Sequence, residues 1–282
     1  MRKKWSYLLL LLVIMLFSAC SSNNDGANQE QTITSNEEHS QINSPTSQPE
    51  EDSNEEQTEE LEVPEQDPVT LSEPQYKINP ANSNVVPLAD APENVVMLTF
   101  DDAPDKHALE IANILHELNV NAIFFVNGHF LDTDAEKEVL KEIHDMGFLI
   151  GNHTMSHQLL RDLSEEEQYK EIVELNNLVE SIIGERPKFL RAPFGVNTDY
   201  SRKVAADEKM VVMNWTYGYD FEKEYMNKDA IADIMVNTEY LRNGANLLMH
   251  DRQWTKEALR DIVTGLQEKG YEIVDPHLIE TL

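Results

Sequence analysis

The stretch VVMLTFDDAPDKHALEIANILHEL, residues 95–118, decides the fold. It opens with a short apolar run, Val95–Phe100, that reads as a strand. Two carboxylates follow, Asp101 and Asp102. Then Lys106–Leu118 carries Leu109, Ala112, Leu115 and Leu118 at helical spacing, which predicts an amphipathic helix. Strand, polar turn and helix in that order make one β/α unit, and the same pattern recurs downstream. Further strands are expected at Ala122–Asn127, Phe148–Gly151, Lys188–Arg191, Met210–Trp215, Asn246–Met249 and Glu272–Val274. The intervening helices are Ala135–Met146, Ser164–Ile183, Asp199–Glu208, Lys228–Tyr240 and Thr255–Lys269. Ser164 and Glu167 form a capping-box pattern, and Gly147, Gly184 and Gly270 stand where helices should stop. Strands alternating with helices imply right-handed crossovers and a parallel sheet. Seven units in about 190 residues suit an α/β fold of the irregular (β/α) barrel type, with an open doubly wound sheet as the alternative.

Upstream the character changes. The chain of 282 residues has a net charge of -30. Residues 21–90 hold sixteen of its acidic side chains against one lysine, Lys77, with few aromatics and with Pro64, Pro68, Pro74 and Pro80. Such a segment buries too little apolar surface to offset its ordering entropy. Residues 20–90 therefore read as a disordered acidic linker, with an end-to-end distance on the order of 45 Å. Residues 1–19 read as a signal peptide: Arg2, Lys3 and Lys4 precede an unbroken apolar run, Leu8 to Phe17, too short to span a bilayer. The string LFSAC at 16–20 resembles a bacterial lipobox, which makes Cys20 the lipidated residue and places the protein on the outer face of the cell membrane. Cys20 is the single cysteine, so no intrachain disulfide exists. Ordinary secretion with a free thiol is the other reading. The acidic surface repels phosphate backbones, which excludes nucleic acid as a partner, and no Gly-rich phosphate loop follows any strand, which counts against a nucleotide.

Within 91–282 the polar residues fall at strand ends. Asp101 and Asp102 follow the first strand, His153 and His157 the third, Arg191 ends the fourth, Asp220 lies after the fifth and His250 follows the sixth. In a parallel barrel those ends converge on one face. The spacing HTMSH puts two imidazoles one helical turn apart, which suits a divalent metal. Taken singly, each feature has an ordinary alternative: surface histidines, a helix cap, a core histidine, a structural ion pair. Their combination, which brings metal-ligand and acid-base groups from five segments to one place, is what is improbable by chance.

TFDDAP at 99–104, AIFFVNG at 122–128, GNHTMSH at 151–157, RAPFG at 191–195 and LLMHD at 247–251 are similar to the ordered motifs of the polysaccharide deacetylase family, the NodB-homology or carbohydrate esterase family four group. The similarity spans about residues 95–275. It implies a distorted (β/α) barrel and one divalent metal held by Asp102, His153 and His157. Zinc suits those ligands best, and cobalt or nickel also fit. It further implies Asp101 as the base on a metal-activated water, Arg191 as its orienting partner, His250 as the acid toward the leaving nitrogen and Asp220 as the partner of His250. The backbone N–H of Phe194 would stabilise the oxyanion, and Trp215 and Leu248 would enclose the acetyl methyl. Core packing is the alternative for the last two. Tyr217, Tyr219, Phe194 and Trp254 are further candidates for stacking on sugar rings. The implied partner is an acetylated polysaccharide; with a lipid anchor and a stalk, peptidoglycan fits best, at N-acetylglucosamine.

Two departures from the family pattern bear on activity. Ala103 stands where the family usually has Gly, a cost of about 1 kcal/mol if φ is positive there. WTYGYDF offers a single aspartate, Asp220, where the family often has two. These departures support the competing expectation, a non-catalytic wall-binding lipoprotein.

Overall fold

The computed structural model describes residues 73–282. The expected signal peptide, Cys20 and the linker up to residue 72 lie outside the described residues. The elements in order are β1 (Tyr76–Ile78), β2 (Val85–Pro87), β3 (Val95–Ala103), α1 (Ala108–Glu117), β4 (Ile123–Val126), α2 (Asp134–Asp145), β5 (Leu149–Asn152), α3 (Glu165–Ile183), β6 (Phe189–Leu190), α4 (Asp199–Asp207), β7 (Val211–Val212), α5 (Lys228–Asn237), β8 (Ala245–His250), α6 (Gln253–Glu268) and β9 (Glu272–Ile273). All seven expected strands and six expected helices are present. Thr133 with Glu136 and Ser164 with Glu167 close capping boxes on α2 and α3. Gly184 ends α3 at φ 77°, a conformation that costs an L side chain about 1 kcal/mol or more.

Strands β3 to β9 form one parallel sheet in the order β7-β6-β5-β4-β3-β8, with β9 paired to the start of β3. It is a curled, incomplete barrel. Between the edge strands β7 and β8 the chain after β7 runs beside β8 through one bridge, Tyr217 to Leu247, and through hydrogen bonds from Thr216 N to Asn246 O and from Leu248 N to Tyr217 O. The irregular barrel is thus the fold, and β6, β7 and β9 are shorter than the apolar runs that announced them.

The period-2 geometry of a strand sorts its side chains between two faces. Val96, Leu98 and Phe100 of β3, Phe124 and Val126 of β4, and Ala245, Leu247 and Met249 of β8 pack toward the helices in the main core. Val95, Met97, Ile123, Phe125 and Phe189 face the barrel interior. The same alternation carries Thr99 and Asp101, and Asn246, Leu248 and His250, to the interior side. The interior is therefore apolar at the N-terminal ends of the strands and polar at their C-terminal ends, where the active face of such a sheet lies.

One boundary needs correction. The linker was expected to continue to residue 90, but residues 76–87 form an antiparallel hairpin, β1 with β2. Tyr76, Ile78 and Val85 are buried in the interior cluster. Gln75 N donates to Leu278 O and Val85 N to Gly244 O. Residues 73–75 and the hairpin are polar by composition yet ordered, because three apolar side chains at alternate positions meet an apolar opening that would otherwise be wet.

Candidate active site and metal centre

The register of β3 against β4 shifts between Phe100 and Ala103, and Asp102 within that bulge has φ 61°. A regular strand would send Asp101 and Asp102 to opposite faces. The left-handed residue instead turns both carboxylates toward the same mouth. His153 Nε2 lies 3.5 Å from Asp101 Oδ2 and 3.9 Å from Asp102 Oδ1. His157 Nε2 lies 3.6 Å from Asp102 Oδ1. Ala103, by contrast, is not among the positive-φ residues, so the expected cost of an alanine there does not arise.

The two histidines do not sit on a helix, as their spacing had implied. They stand on a loop after β5, with Thr154 at φ 71° and His157 at φ 57°. The loop is held by side chains. Asn127 Nδ2 donates to His153 O at 2.6 Å, and Thr154 N donates to Asn152 Oδ1 at 2.9 Å. From α3, Glu171 accepts from Ser156 N at 2.9 Å and from the Ser156 hydroxyl, and its carbonyl accepts from Met155 N. His153 is buried, and its Nδ1 lies 2.7 Å from Arg191 O. That contact assigns the proton to Nδ1 and leaves the Nε2 lone pair facing the mouth, the arrangement typical of a metal-ligating imidazole.

One ligand atom each from Asp102, His153 and His157 fall within 4.8 Å of one another. One carboxylate and two imidazoles suit zinc and leave coordination positions open. The electrostatics agree. Burial pushes the Asp102 carboxyl up, but His250, His153, His157 and Arg252 outweigh it and hold the group below its ordinary range. Burial and the neighbouring His153 push His157 down, against the pull of Asp102 and Asp101. Both donors thus stay in the deprotonated form that a metal requires.

Asp101 is buried and paired with Arg191, whose Nη1 donates to Asp101 Oδ1 at 2.6 Å and to Thr99 Oγ1 at 2.8 Å. Arg191 Nη2 donates to Asn214 O at 2.9 Å. The guanidinium is fully buried and lies 4.3 Å over the Phe125 ring. Gly151 makes room for that ring: a Cβ there would stand 2.5 Å from Phe125. Arg191 therefore fixes one oxygen of Asp101 and leaves Oδ2 toward His153 and the mouth.

On the other side, Asp220 is fully buried and accepts from His250 N and from His250 Nδ1, both at 2.6 Å, and from Thr255 Oγ1 at 2.7 Å. Trp254 Nε1 donates to Asp220 O at 2.8 Å. Burial would push the His250 imidazole down, yet the hydrogen bond and charge of Asp220, with Asp101 and Asp102 behind it, carry it above its ordinary value. The single aspartate of WTYGYDF thus has a partner in His250.

Phe194 has φ 59° and is 63% exposed, with its ring edge-on to His157 at 4.9 Å. Trp215 packs on Gly195, where a Cβ would stand 3.1 Å from the indole. Leu248 is buried on the interior face of β8, between Asn246 and His250. Tyr217 is buried with its hydroxyl on Met235 O, so it offers no face to a sugar, contrary to expectation. Tyr219 is likewise tied, to Thr238. Phe221 is 48% exposed and edge-on to His250 at 5.7 Å.

Several supporting residues escaped the sequence reading. Thr99 and Asn246 meet Arg191, Thr255 meets Asp220, and Arg252 Nη2 donates to Asp102 Oδ2 at 2.8 Å. Asp251 accepts backbone N–H bonds from Asp105, Lys106, His107 and Ala108 at 2.6–3.0 Å. The available signal was a polar residue inside an apolar strand, as Thr99 is within VVMLTF and Asn246 is before LLM.

The family described as Polysaccharide deacetylase matches residues 89–213. A peptidoglycan-N-acetylglucosamine deacetylase of Bacillus cereus is 30% identical over 66% of this chain and 68% of its own length. The structure of the peptidoglycan deacetylase PdaC from Bacillus subtilis is 32% identical, covers 66% of this chain and 89% of its own, and superposes with a TM-score of 0.58. A family 4 carbohydrate esterase pseudoenzyme from Bacillus anthracis is 28% identical over 66% of this chain and 67% of its own, with a TM-score of 0.59. The chain belongs to the polysaccharide deacetylase family, the hydrolases grouped as carbohydrate esterase family 4.

Proposed function

We propose that this protein removes N-acetyl groups from N-acetylglucosamine of peptidoglycan, on the outer face of a bacterial membrane to which Cys20 anchors it. The observation that carries the hydrolytic part is the convergence of Asp101, the Asp102–His153–His157 trio and the Asp220–His250 pair on one mouth. The peptidoglycan target is supported by the named activities of the relatives. The anchor is supported by the residues around Cys20 in the sequence.

Asp102, His153 and His157 would hold a divalent ion, which when bound supplies a Lewis acid for the acetyl carbonyl and lowers the pKa of water. The remaining work belongs to this chain. Asp101 Oδ2, left free by Arg191, accepts a proton from the attacking water as its oxygen adds to the carbonyl carbon. The Phe194 N–H donates to the resulting oxyanion. His250, with Nδ1 on Asp220, presents Nε2 to the amide nitrogen and protonates it as the C–N bond breaks. The products are the free amine of the sugar and acetic acid, which ionises to acetate in solvent; Asp101 ends protonated and His250 neutral, and transfer of that proton from Asp101 to His250 through solvent restores the site.

A pseudoenzyme among the relatives makes turnover the point to test. Neither departure that favours a non-catalytic protein weakens this site, since Ala103 has no positive φ and Asp220 contacts His250. The purified full chain with zinc is expected to release acetate from peptidoglycan and from N-acetylglucosamine oligomers. Absence of acetate from every acetylated glycan, with metal bound, would establish the wall-binding alternative. Cys20→Ala is expected to move the protein from the membrane to the soluble fraction of cells.

A further inference from the structure

We propose that Arg252 is a positioning residue for the metal: it occupies one oxygen of Asp102 so that the carboxylate offers the ion a single donor. The proposal rests on the reading of Asp102, His153 and His157 as ligands. Asp102 divides its two oxygens. Oδ1 faces His153 Nε2 at 3.9 Å and His157 Nε2 at 3.6 Å, whereas Oδ2 accepts from Arg252 Nη2 at 2.8 Å. A carboxylate free to rotate would not keep Oδ1 turned toward both imidazoles, and the ion would lose a placed donor. A donor fixed on Oδ2 prevents this.

Arg252 is built to act as a fixed donor. It is the residue before α6, and its Nη1 donates to Asp251 O at 3.0 Å. Asp251 is itself locked. Its carboxylate takes four backbone N–H groups from residues 105–108, and its N–H donates to Asp101 O. The guanidinium therefore hangs from the junction that ties the end of β8 to the end of β3. Asp102 stands at φ 61° in the β3 bulge, where no regular strand pairing holds it. An ordinary surface ion pair is worth about 0–1 kcal/mol and serves no partner beyond itself. Here the pair sits on a ligand whose side chain is only 18% exposed, and outer-sphere contacts of this kind orient the ligand.

The test is zinc affinity, measured on the full chain by competition with a chelating dye, so that turnover is not the readout. Arg252→Met is expected to weaken zinc binding by about 10–100-fold, the usual effect of removing an outer-sphere partner. Arg252→Lys, which keeps a donor, is expected to fall between Met and wild type. In an Asp102→Asn background, Arg252→Met should cause no further loss, which separates action through Asp102 from general damage. Metal-free thermal midpoints of Arg252→Lys and wild type should coincide. Zinc affinity of Arg252→Met equal to or tighter than wild type overturns the proposal and leaves the metal site standing. A further loss in the Asp102→Asn background also overturns it. A wild-type chain that binds no zinc overturns both the proposal and the metal reading.

Discussion

Asp101 and Asp102 are neighbours with separate attachments: Arg191 takes one oxygen of the first, Arg252 one oxygen of the second. The division predicts different losses. Asp101→Asn is expected to retain zinc but lower kcat by about 10²–10⁴, the usual contribution of a general base. Metal analysis and acetate release on the same sample check this, and unchanged turnover would remove Asp101 from the mechanism. In the proposed mechanism His250 is the acid and carries the pH dependence. Its pKa lies above the ordinary 6.5 because of Asp220, so the acid form persists upward in pH and activity falls as pH rises through the raised value. The linked stability has the same sign. It is fully present below 6.5 and lost as pH rises through the folded-state value. Asp220→Asn should therefore move the alkaline limb of kcat/KM to lower pH and reduce kcat by up to about 10². A pH–rate profile identical to wild type would detach Asp220 from the acid.

At the scale of elements, the hairpin of β1 and β2 reaches the hydrogen-bond network around Arg191. Ser83 Oγ accepts from Asn214 N at 2.8 Å, and Ser83 O accepts from Asn246 Nδ2 at 3.4 Å. Asn214 O and Asn246 Oδ1 in turn accept from Arg191. A chain cut at residue 91 loses this support and uncovers the interior cluster. Ile78 and Val85 each bury a side chain worth about 1.5–3 kcal/mol, so residues 91–282 should melt about 10 °C below residues 73–282. Equal melting temperatures in differential scanning calorimetry would show that the hairpin is dispensable. The period-2 alternation of β3 and β8 explains how an apolar strand ends in polar groups: on the interior side Met97 is followed by Thr99 and Asp101, and Leu248 by His250.

For the whole molecule, the three proposed ligands come from the end of β3 and the loop after β5, with supports from beside β6, β8 and α6, so metal and fold should be linked. Zinc at about 100 times its Kd adds about 2.7 kcal/mol to stability, a rise in Tm of about 5–10 °C for a domain of this size. A chelator should reverse it. His153→Ala should lose both the zinc-dependent rise and the bound metal; a variant that keeps them would refute the ligand assignment. The acidic surface acts at the same scale. It disfavours polyanions and suits the proposed substrate, a polymer that would gain amines as acetyl groups leave.

The sequence by itself determined the alternation of strands and helices, the helix caps and stops, and which strand ends carry carboxylates, imidazoles and an arginine. Those features are local: periodicity, capping chemistry and residue type act over a few positions, and the motif order added the family. It did not determine that residues 76–87 belong to the domain, because two short strands of mixed polarity are ordered only by the cluster they cover. Nor did it reveal that HTMSH is a loop, that Asp102 adopts a left-handed conformation, or that Arg252 reaches back 150 residues to Asp102. Each depends on contacts between segments far apart in the chain, and the tertiary structure alone brings those segments within hydrogen-bonding distance.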